Sequence, residues 1–422
     1  MTSSGAQGKE AWKNTILAGL ANYIDAGSIV AGAVALALWQ NAYAMSDSTI
    51  GTIGALGPNA ISAGVGALIG GRLCDLFGRK KIYQYDMLFY AFGMLWLVFS
   101  MNAWMVILGF FLVGLAVGAD IPASWSLIAE MAPQGGRGKH SGMAQVLWYL
   151  GPVVVLLMGM VLAPYGLTGA KIIFAHLAIL AIALTFLRSK MKESQHWIDA
   201  QAEAEKLTNI AAPGSRLRDL FSAQHIKSLA VLTGMYLFWN LWAGTNGFFL
   251  PYILRTVGGQ GQSMAVLLTL MSFGIGMLSI FFVFMQLSDK VNQRTLFLVS
   301  ASIQVVGMAL FAIFPMTLPI AMLHIFLMAF GGGFGAQSFF QLWSSEMFPT
   351  LLRSTAQGLM FALVRISLGF WSFFVPILSK ADFHTLAWIL VGFLAVSGLI
   401  GVVGAPRNEG KSLEELEAGM RR

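Results

Sequence analysis

Three ionisable residues interrupt long apolar runs: Asp25 in LANYIDAGSIVAG, Asp120 in VGADIPASWSLIAE and Arg365 in FALVRISLG. Where such a run crosses a bilayer, a charge at mid-helix costs about 2.5–3.5 kcal/mol on insertion scales, so its retention points to a task. A carboxylate there can carry a proton, cap a broken helix or hold a structural partner. A guanidinium can pair with Asp25 or Asp120, or grip an anion through two parallel hydrogen bonds. The two uses can alternate, with solute displacing a carboxylate that then takes up a proton. Pro122 follows Asp120 by two residues and opens the helix backbone beside it. Asn22, Tyr23, Trp125, Gln341 and Trp343 lie within the same apolar runs and are candidates for lining an aqueous chamber, with packing as the bland alternative. His176 and His324 read as hydrogen-bonded structural residues. Other chemistries lack their residues. The sequence has no Walker-type phosphate loop, no HExxH or Cys/His metal set and no Ser–His–Asp order, so neither an ATP-driven pump nor an enzyme is expected, and no cofactor.

The elements that must position these groups are helices. Of 422 residues, 57% are hydrophobic and only 11% charged, against roughly 25% charged in soluble domains. A helix crosses the hydrocarbon in roughly 20 apolar residues, and a single span satisfies its own backbone there. Spans are expected near 14–38, 50–71, 82–101, 104–130, 140–163, 171–189, 225–255, 263–287, 294–314, 319–345, 355–379 and 383–405. The fold class is therefore an all-α membrane protein of twelve helices. The net charge of +7 sits in short loops and reads as a positive-inside bias rather than a nucleic-acid surface. Arg72, Arg79, Lys80, Lys81, Arg137, Lys139, Lys290, Arg294 and Arg353 share one side, so both termini are expected in the cytoplasm. The lone Cys74 excludes an internal disulfide, and the first apolar run is too long for a cleaved leader.

The chain divides into an N-terminal half (1–189), a polar linker (190–224) with a short amphipathic surface helix, a C-terminal half (225–405) and a tail (406–422). The halves repeat each other. Glu130, Met131, Pro133 and Arg137 fall on Glu346, Met347, Pro349 and Arg353 with the same Glu-to-Arg spacing. A weaker repeat relates GGRLCDLFGRKK (70–81) to QLSDKVNQR (286–294). Paired six-helix halves with a midplane site are a transporter architecture.

The loop Gly71-Arg72-Leu73-Cys74-Asp75-Leu76-Phe77-Gly78-Arg79-Lys80-Lys81 resembles the signature between spans two and three of the major facilitator superfamily. The resemblance covers nearly the whole chain. The Glu…Arg motifs after spans four and ten, with Glu193-Ser194 and Trp197 after span six, are most similar to the sugar porters and the related organic-anion and phosphate:proton symporters. It implies that Asp75, Arg79, Glu130, Arg137, Glu346 and Arg353 gate the cytoplasmic side, with Glu130–Arg137 and Glu346–Arg353 as ion pairs. Asp25 resembles the span-one Asp that takes up and releases the proton, and Asp120 the Asp of the Gly-Asp-x-Pro segment of phosphate symporters. Arg365 resembles the span-eleven Arg of aromatic-acid symporters. Gln145 and Asn246 resemble sugar-contacting residues of sugar porters. The two Gln that precede that Asn in sugar porters are here Asn240 and Leu241, and Phe110 stands where they carry an Arg.

The expectation is a proton-coupled symporter of the inner membrane. It would act as a monomer by alternating access on a small polar solute, with protons and lipid as its other partners. Proton coupling falls to Asp25 and Asp120. Substrate contact falls to Arg365, Gln145, Asn246, Asn240, Gln341, Tyr23 and Trp125. Arg365 tilts the solute toward an organic anion, a sugar acid or phosphate; a neutral sugar or polyol is the alternative, and an exporter or a transporter-like sensor is more distant.

Overall fold

Apolar runs too long to hide in a soluble core become helices, and the computed structural model describes them over residues 3–208, 217–406, 408 and 411–420. No β-strand occurs among the described residues. The N-terminal half contains spans one (Ser3–Ala42), two (Asp47–Leu56 and Ile61–Phe77), three (Arg79–Val98), four (Ala103–Met131), five (Arg137–Leu162) and six (Gly166–Ser189). The C-terminal half contains spans seven (Ile226–Thr256), eight (Gln262–Ser279, a π-helical turn Ile280–Phe284 and Met285–Leu287) and nine (Gln293–Ile313). It ends with spans ten (Leu318–Gly333 and Ala336–Glu346), eleven (Thr350–Ala381) and twelve (Phe383–Gly404). Two shorter helices lie outside the spans: a linker helix (Gln195–Thr208) and a tail helix (Leu413–Met420). Part of the expected linker, with Arg216, and part of the tail lie outside the described residues.

Two breaks are built in. Span two is interrupted at Gly57–Ala60, where Pro58 has no N–H to give, and the Ser62 hydroxyl donates to the Gly57 carbonyl at 3.0 Å. Span ten is interrupted at Phe334–Gly335. There Ser338 donates to the Gly333 carbonyl and Ser300 to the Gly331 carbonyl, both at 2.8 Å. Side-chain hydroxyls thus satisfy backbone groups freed inside the membrane.

The sequence 71–81 is not the loop expected from its charges. Helix continues to Phe77 and resumes at Arg79, leaving Gly78 alone as the turn. Gly78 has φ +97°, and a Cβ there would lie 2.3 Å from a Glu193 carboxylate oxygen, so glycine is required on both counts. That carboxylate accepts from the Arg79 and Lys80 amides, which opens span three with an acidic cap. The linker helix docks on the same turn, with the Trp197 indole donating to the Asp75 carbonyl at 3.1 Å.

The halves meet along two helix pairs, span two against eleven and span five against eight. Glycine sets their distance. A Cβ at Gly71 would come 2.3 Å from the Ser354 carbonyl oxygen, and one at Gly358 would come 2.2 Å from that of Ala67. Gly138 sits equally close to Ser288, and Gly142 to Met285. Small residues let helices approach where lipid provides no hydrophobic drive.

Overpacking such a contact costs typically 1–3 kcal/mol. Gly358→Val is expected to part spans two and eleven. Ser345→Cys, in a Cys74→Ser background, should then react with a maleimide roughly ten-fold faster than in the Gly358 parent; equal rates would show that the contact does not hold the halves together.

Candidate functional site

Twelve spans in two halves bring polar groups together in two places: a layer at the linker end of the spans and a chamber midway along them. The layer is a chain of alternating charge. Asp75 of span two accepts from Arg79 at 2.9 Å, and Arg79 donates to Glu130 at 2.9 Å. Glu130 accepts from Arg353 at 2.6 Å, and Arg353 donates to Glu417 of the tail helix at 3.0 Å. Asp75 also accepts from the backbone N–H of Thr355 at 2.7 Å and from its hydroxyl at 2.6 Å. A second tie runs from Arg137 to Glu346 at 2.8 Å, where Asn408 donates to the other Glu346 oxygen. The side chains of Asp75, Arg79, Glu130 and Arg353 have no exposed surface.

The pairing differs from the sequence expectation. Glu130 does not meet Arg137, nor Glu346 Arg353; each glutamate takes the arginine of the opposite half. Between Glu130 and Arg137 the chain leaves span four, turns at Gly135 (φ +70°) and enters span five. The two side chains thus diverge, and each is met by its counterpart across the pseudo-two-fold axis. The linker ends of the halves are thereby clamped together, and the structure is the state closed on this face.

Beyond the layer lies a small sealed zone. Gln145 of span five donates to Gln341 of span ten in a very short hydrogen bond. Ser126 donates to Gln357 at 3.0 Å, and Gln357 donates to Ser344 and Ser345. Trp125 packs edge-on against Phe340 and Phe361. Gln145, Gln341 and Trp125, expected on the chamber wall, lie instead in this bridge between the halves.

The chamber itself has a volume of about 140 Å³. Its polar lining includes Asn59, Asn240, Asn246, Thr269, Ser272, Gln337 and Arg365, and its aromatic lining Trp148, Tyr149, Trp239, Trp242 and Phe273. It meets a larger, mainly apolar cavity of about 330 Å³ at Ile29, Asn59 and Gly244. That outer cavity runs along spans one, two, seven and eleven and reaches Phe110. Asn240 and Asn246 are on the chamber wall. Asp25 lies beside wall residue Ala26, 7% exposed, within reach of the Trp148 indole and in the field of Arg365. Its Oδ1 has no hydrogen-bond partner.

Three expectations are corrected. Arg365 pairs with neither aspartate: its guanidinium donates to the Asn59 side chain and, at 3.3 Å, to the Asn59 carbonyl, and it stacks 4.5 Å from the Phe361 ring. The break in span two supplies these acceptors, which helical backbone would not offer. Asp120 faces into the N-terminal half, where it accepts from Arg188 of span six at 2.9 Å. Tyr23 bonds His176 of span six at 2.9 Å instead of facing the chamber. Asn22 donates to the Ala144 carbonyl and Trp343 to Gln293. His324 is held by the Gly307 carbonyl and stacks on Phe311.

Sequence reasoning missed Arg188 and Asp86, and the aromatic wall of the chamber. Arg188 stands two residues before Lys190, where a basic residue normally reaches for the interface. The available signal was that two unmatched carboxylates, Asp86 and Asp120, needed a cation at their depth.

The family model described as Major Facilitator Superfamily matches residues 15–372. The chain is 46% identical over 412 residues to the minor myo-inositol transporter IolF of Bacillus subtilis, covering 96% of this chain and 93% of that one. It is 24% identical to the glucose transporter GlcP of Staphylococcus epidermidis, covering 86% of each. The solved structure of the proton:xylose symporter XylE bound to 6-bromo-6-deoxy-D-glucose superimposes with a TM-score of 0.84 at 18% identity, covering 98% of this chain and 100% of that one.

Removing one partner from a buried ion pair leaves an uncompensated charge, typically about 3–5 kcal/mol. Glu130→Gln removes the carboxylate that joins Arg79 to Arg353 across the halves, leaving each only its outer partner, Asp75 or Glu417. Electron–electron distance measurements between spin labels on the linker ends of spans four and ten are expected to show the halves parted in most molecules. A distance distribution matching the parent would remove Glu130 from the clamp.

Proposed function

Because the chain belongs to the Major Facilitator Superfamily, we propose that it imports a neutral cyclic polyol or monosaccharide, coupled to protons, by alternating access of its two halves. The observation that carries this reading is the chamber wall. Four of its polar contributors, Asn240, Asn246, Thr269 and Gln337, are neutral groups able to hydrogen-bond hydroxyls, and they are interleaved with Trp148, Trp239 and Trp242. A polyhydroxylated ring has an equator of donors and acceptors and apolar C–H faces, which this alternation of amides and indoles complements. Among the described residues the one cation on the wall is Arg365, whose Nη1 already has the Asn59 carbonyl and side chain as acceptors while its Nε has none. This weighs against a carboxylate or phosphate as the solute. The names of the relatives, a myo-inositol transporter and a glucose transporter, point the same way.

Asp25 is assigned the transported proton. It is a buried carboxylate at the chamber's edge, with an oxygen lacking any partner and Arg365 as the charge that faces it from the opposite half. The face carrying the linker is assigned to the cytoplasm of a cell with a single or inner membrane. The state described is then the one that loads solute from outside, with the charge layer holding the inside shut. Alternating access follows from what each face contains: the charge layer must part for release, and span two is already broken at Asn59, next to both cavities.

The purified chain in proteoliposomes under an inward proton gradient should accumulate labelled myo-inositol or a hexose, and collapse of the gradient should abolish accumulation. Asp25→Asn should lose accumulation while retaining exchange of internal for external solute. Asn240→Ala should weaken solute binding by about ten-fold through one lost hydrogen bond. Uptake of sugar acids with no uptake of neutral polyols would reject this reading and restore Arg365 as an anion ligand.

A further inference from the structure

Behind the charge layer, wholly inside the N-terminal half, lies a second charged cluster that neither the clamp nor the chamber uses. Arg188 of span six is fully buried. Its Nη1 donates to Asp120 at 2.9 Å and to the Tyr83 carbonyl at 3.0 Å, and it stands 3.6 Å from Asp86. Its Nη2 donates to the Leu17 carbonyl at 3.4 Å, and its plane lies 3.4 Å over the Tyr83 ring. The arginine is thus spent on Asp120 and two carbonyls. Asp86, with 2% of its side chain exposed, has no hydrogen-bond partner on either oxygen. Asp86 and Asp120 thus address the same nitrogen, Arg188 Nη1, at 3.6 and 2.9 Å.

Two ionised carboxylates against one guanidinium would leave a net negative charge in a site sealed from water, and the effective penalty for an uncompensated buried ion is several kcal/mol. Both carboxylates also converge on one guanidinium nitrogen while neither Asp86 oxygen has a donor, since an ionised carboxylate beside it only accepts. A single added proton cures both defects. It supplies the missing donor and brings the cluster to neutrality.

We infer that Asp86 and Asp120 form a proton-binding site holding one shared proton against Arg188, separate from Asp25 and from the solute chamber. Span one offers the Leu17 carbonyl, span two the buried Cys74 thiol, span three Tyr83, span four Asp120 and span six Arg188. Asp75 and Arg79 beyond Cys74 are already matched to each other and to Glu130. None of these supplies a second positive charge to the pair. Asp86 is seven residues after Arg79, so on the same face of span three and about 10 Å deeper. The site therefore stands directly behind the clamp, on the helix that carries one of the clamp's arginines.

The test needs no solute, so its outcome is independent of what the chamber carries. Infrared spectra of the full chain in lipid nanodiscs at pH 7 are compared for the parent and Asp86→Asn, a near-isosteric neutral replacement. The parent is expected to show the carbonyl stretch of a protonated carboxylic acid that the variant lacks. Asp120→Asn should lose the same band, since a shared proton needs both members, and it serves as the readout should Asp86→Asn fail to purify. In Arg188→Met both carboxyls should be protonated, and the band should rise about two-fold. A band that persists unchanged in the aspartate variants, or a parent without one, overturns the assignment.

Discussion

Glu130 carries two guanidinium groups from opposite halves of the molecule, Arg79 at 2.9 Å and Arg353 at 2.6 Å, with no exposed surface on any of the three side chains. In so dry a setting removing a member takes a matching charge from buried neighbours that water cannot compensate. The rest of the linker face follows from keeping those charges matched. Asp75 completes the coordination of Arg79, Glu417 that of Arg353, and Arg137 with Glu346 provides a parallel tie. The tail helix provides a remaining acceptor, Glu417, and the segment leading into the linker helix provides a cap, Glu193. Charges that match only when the halves are together make the closed state one discrete arrangement rather than a continuum.

Such a clamp works only if the helices beneath it come close enough. The glycines of spans two, five and eleven allow this, since the backbone of one helix occupies the space a Cβ of its partner would fill. Above the contact the halves diverge into the chamber and then into the wider outer cavity. Polarity is graded along the same axis: ion pairs in the layer, amides and hydroxyls in the bridge of Gln145, Gln341 and Gln357, and amides with indoles in the chamber. A neutral solute meets hydrogen-bonding groups at the depth where a charged wall would demand a counter-charge. The one cation there among the described residues is held by the broken turn of span two, so the chamber, Arg365 and the break at Asn59 are neighbours.

Membrane character, the helical class, the division into halves and the repeated Glu…Arg motif were all legible in the sequence. Each is a matter of local composition or of register between repeats, and lipid leaves an apolar segment little choice but to be a helix. The ends of span two were not. A stretch of Arg, Asp and Lys reads as loop, yet Asp75 and Arg79 are neighbours one turn apart whose charges are answered by other helices. Arg188 was overlooked for the converse reason: a basic residue at a span's end is ordinarily solvated, and only the fold shows that it turns inward to Asp120.

The sequence by itself therefore determined that the membrane interior must hold charge, and on which helices Asp25, Asp120 and Arg365 stand. Cost per residue is a local quantity, and no arrangement escapes it. Which charge answers which was decided by tertiary structure alone. Partner choice depends on directions in space that residue spacing does not carry: Glu130 to Arg353 rather than Arg137, Asp120 to Arg188 rather than Arg365, and Arg365 to the opened backbone at Asn59. Two helices must be placed against each other before a side chain of three or four bonds has anything to reach.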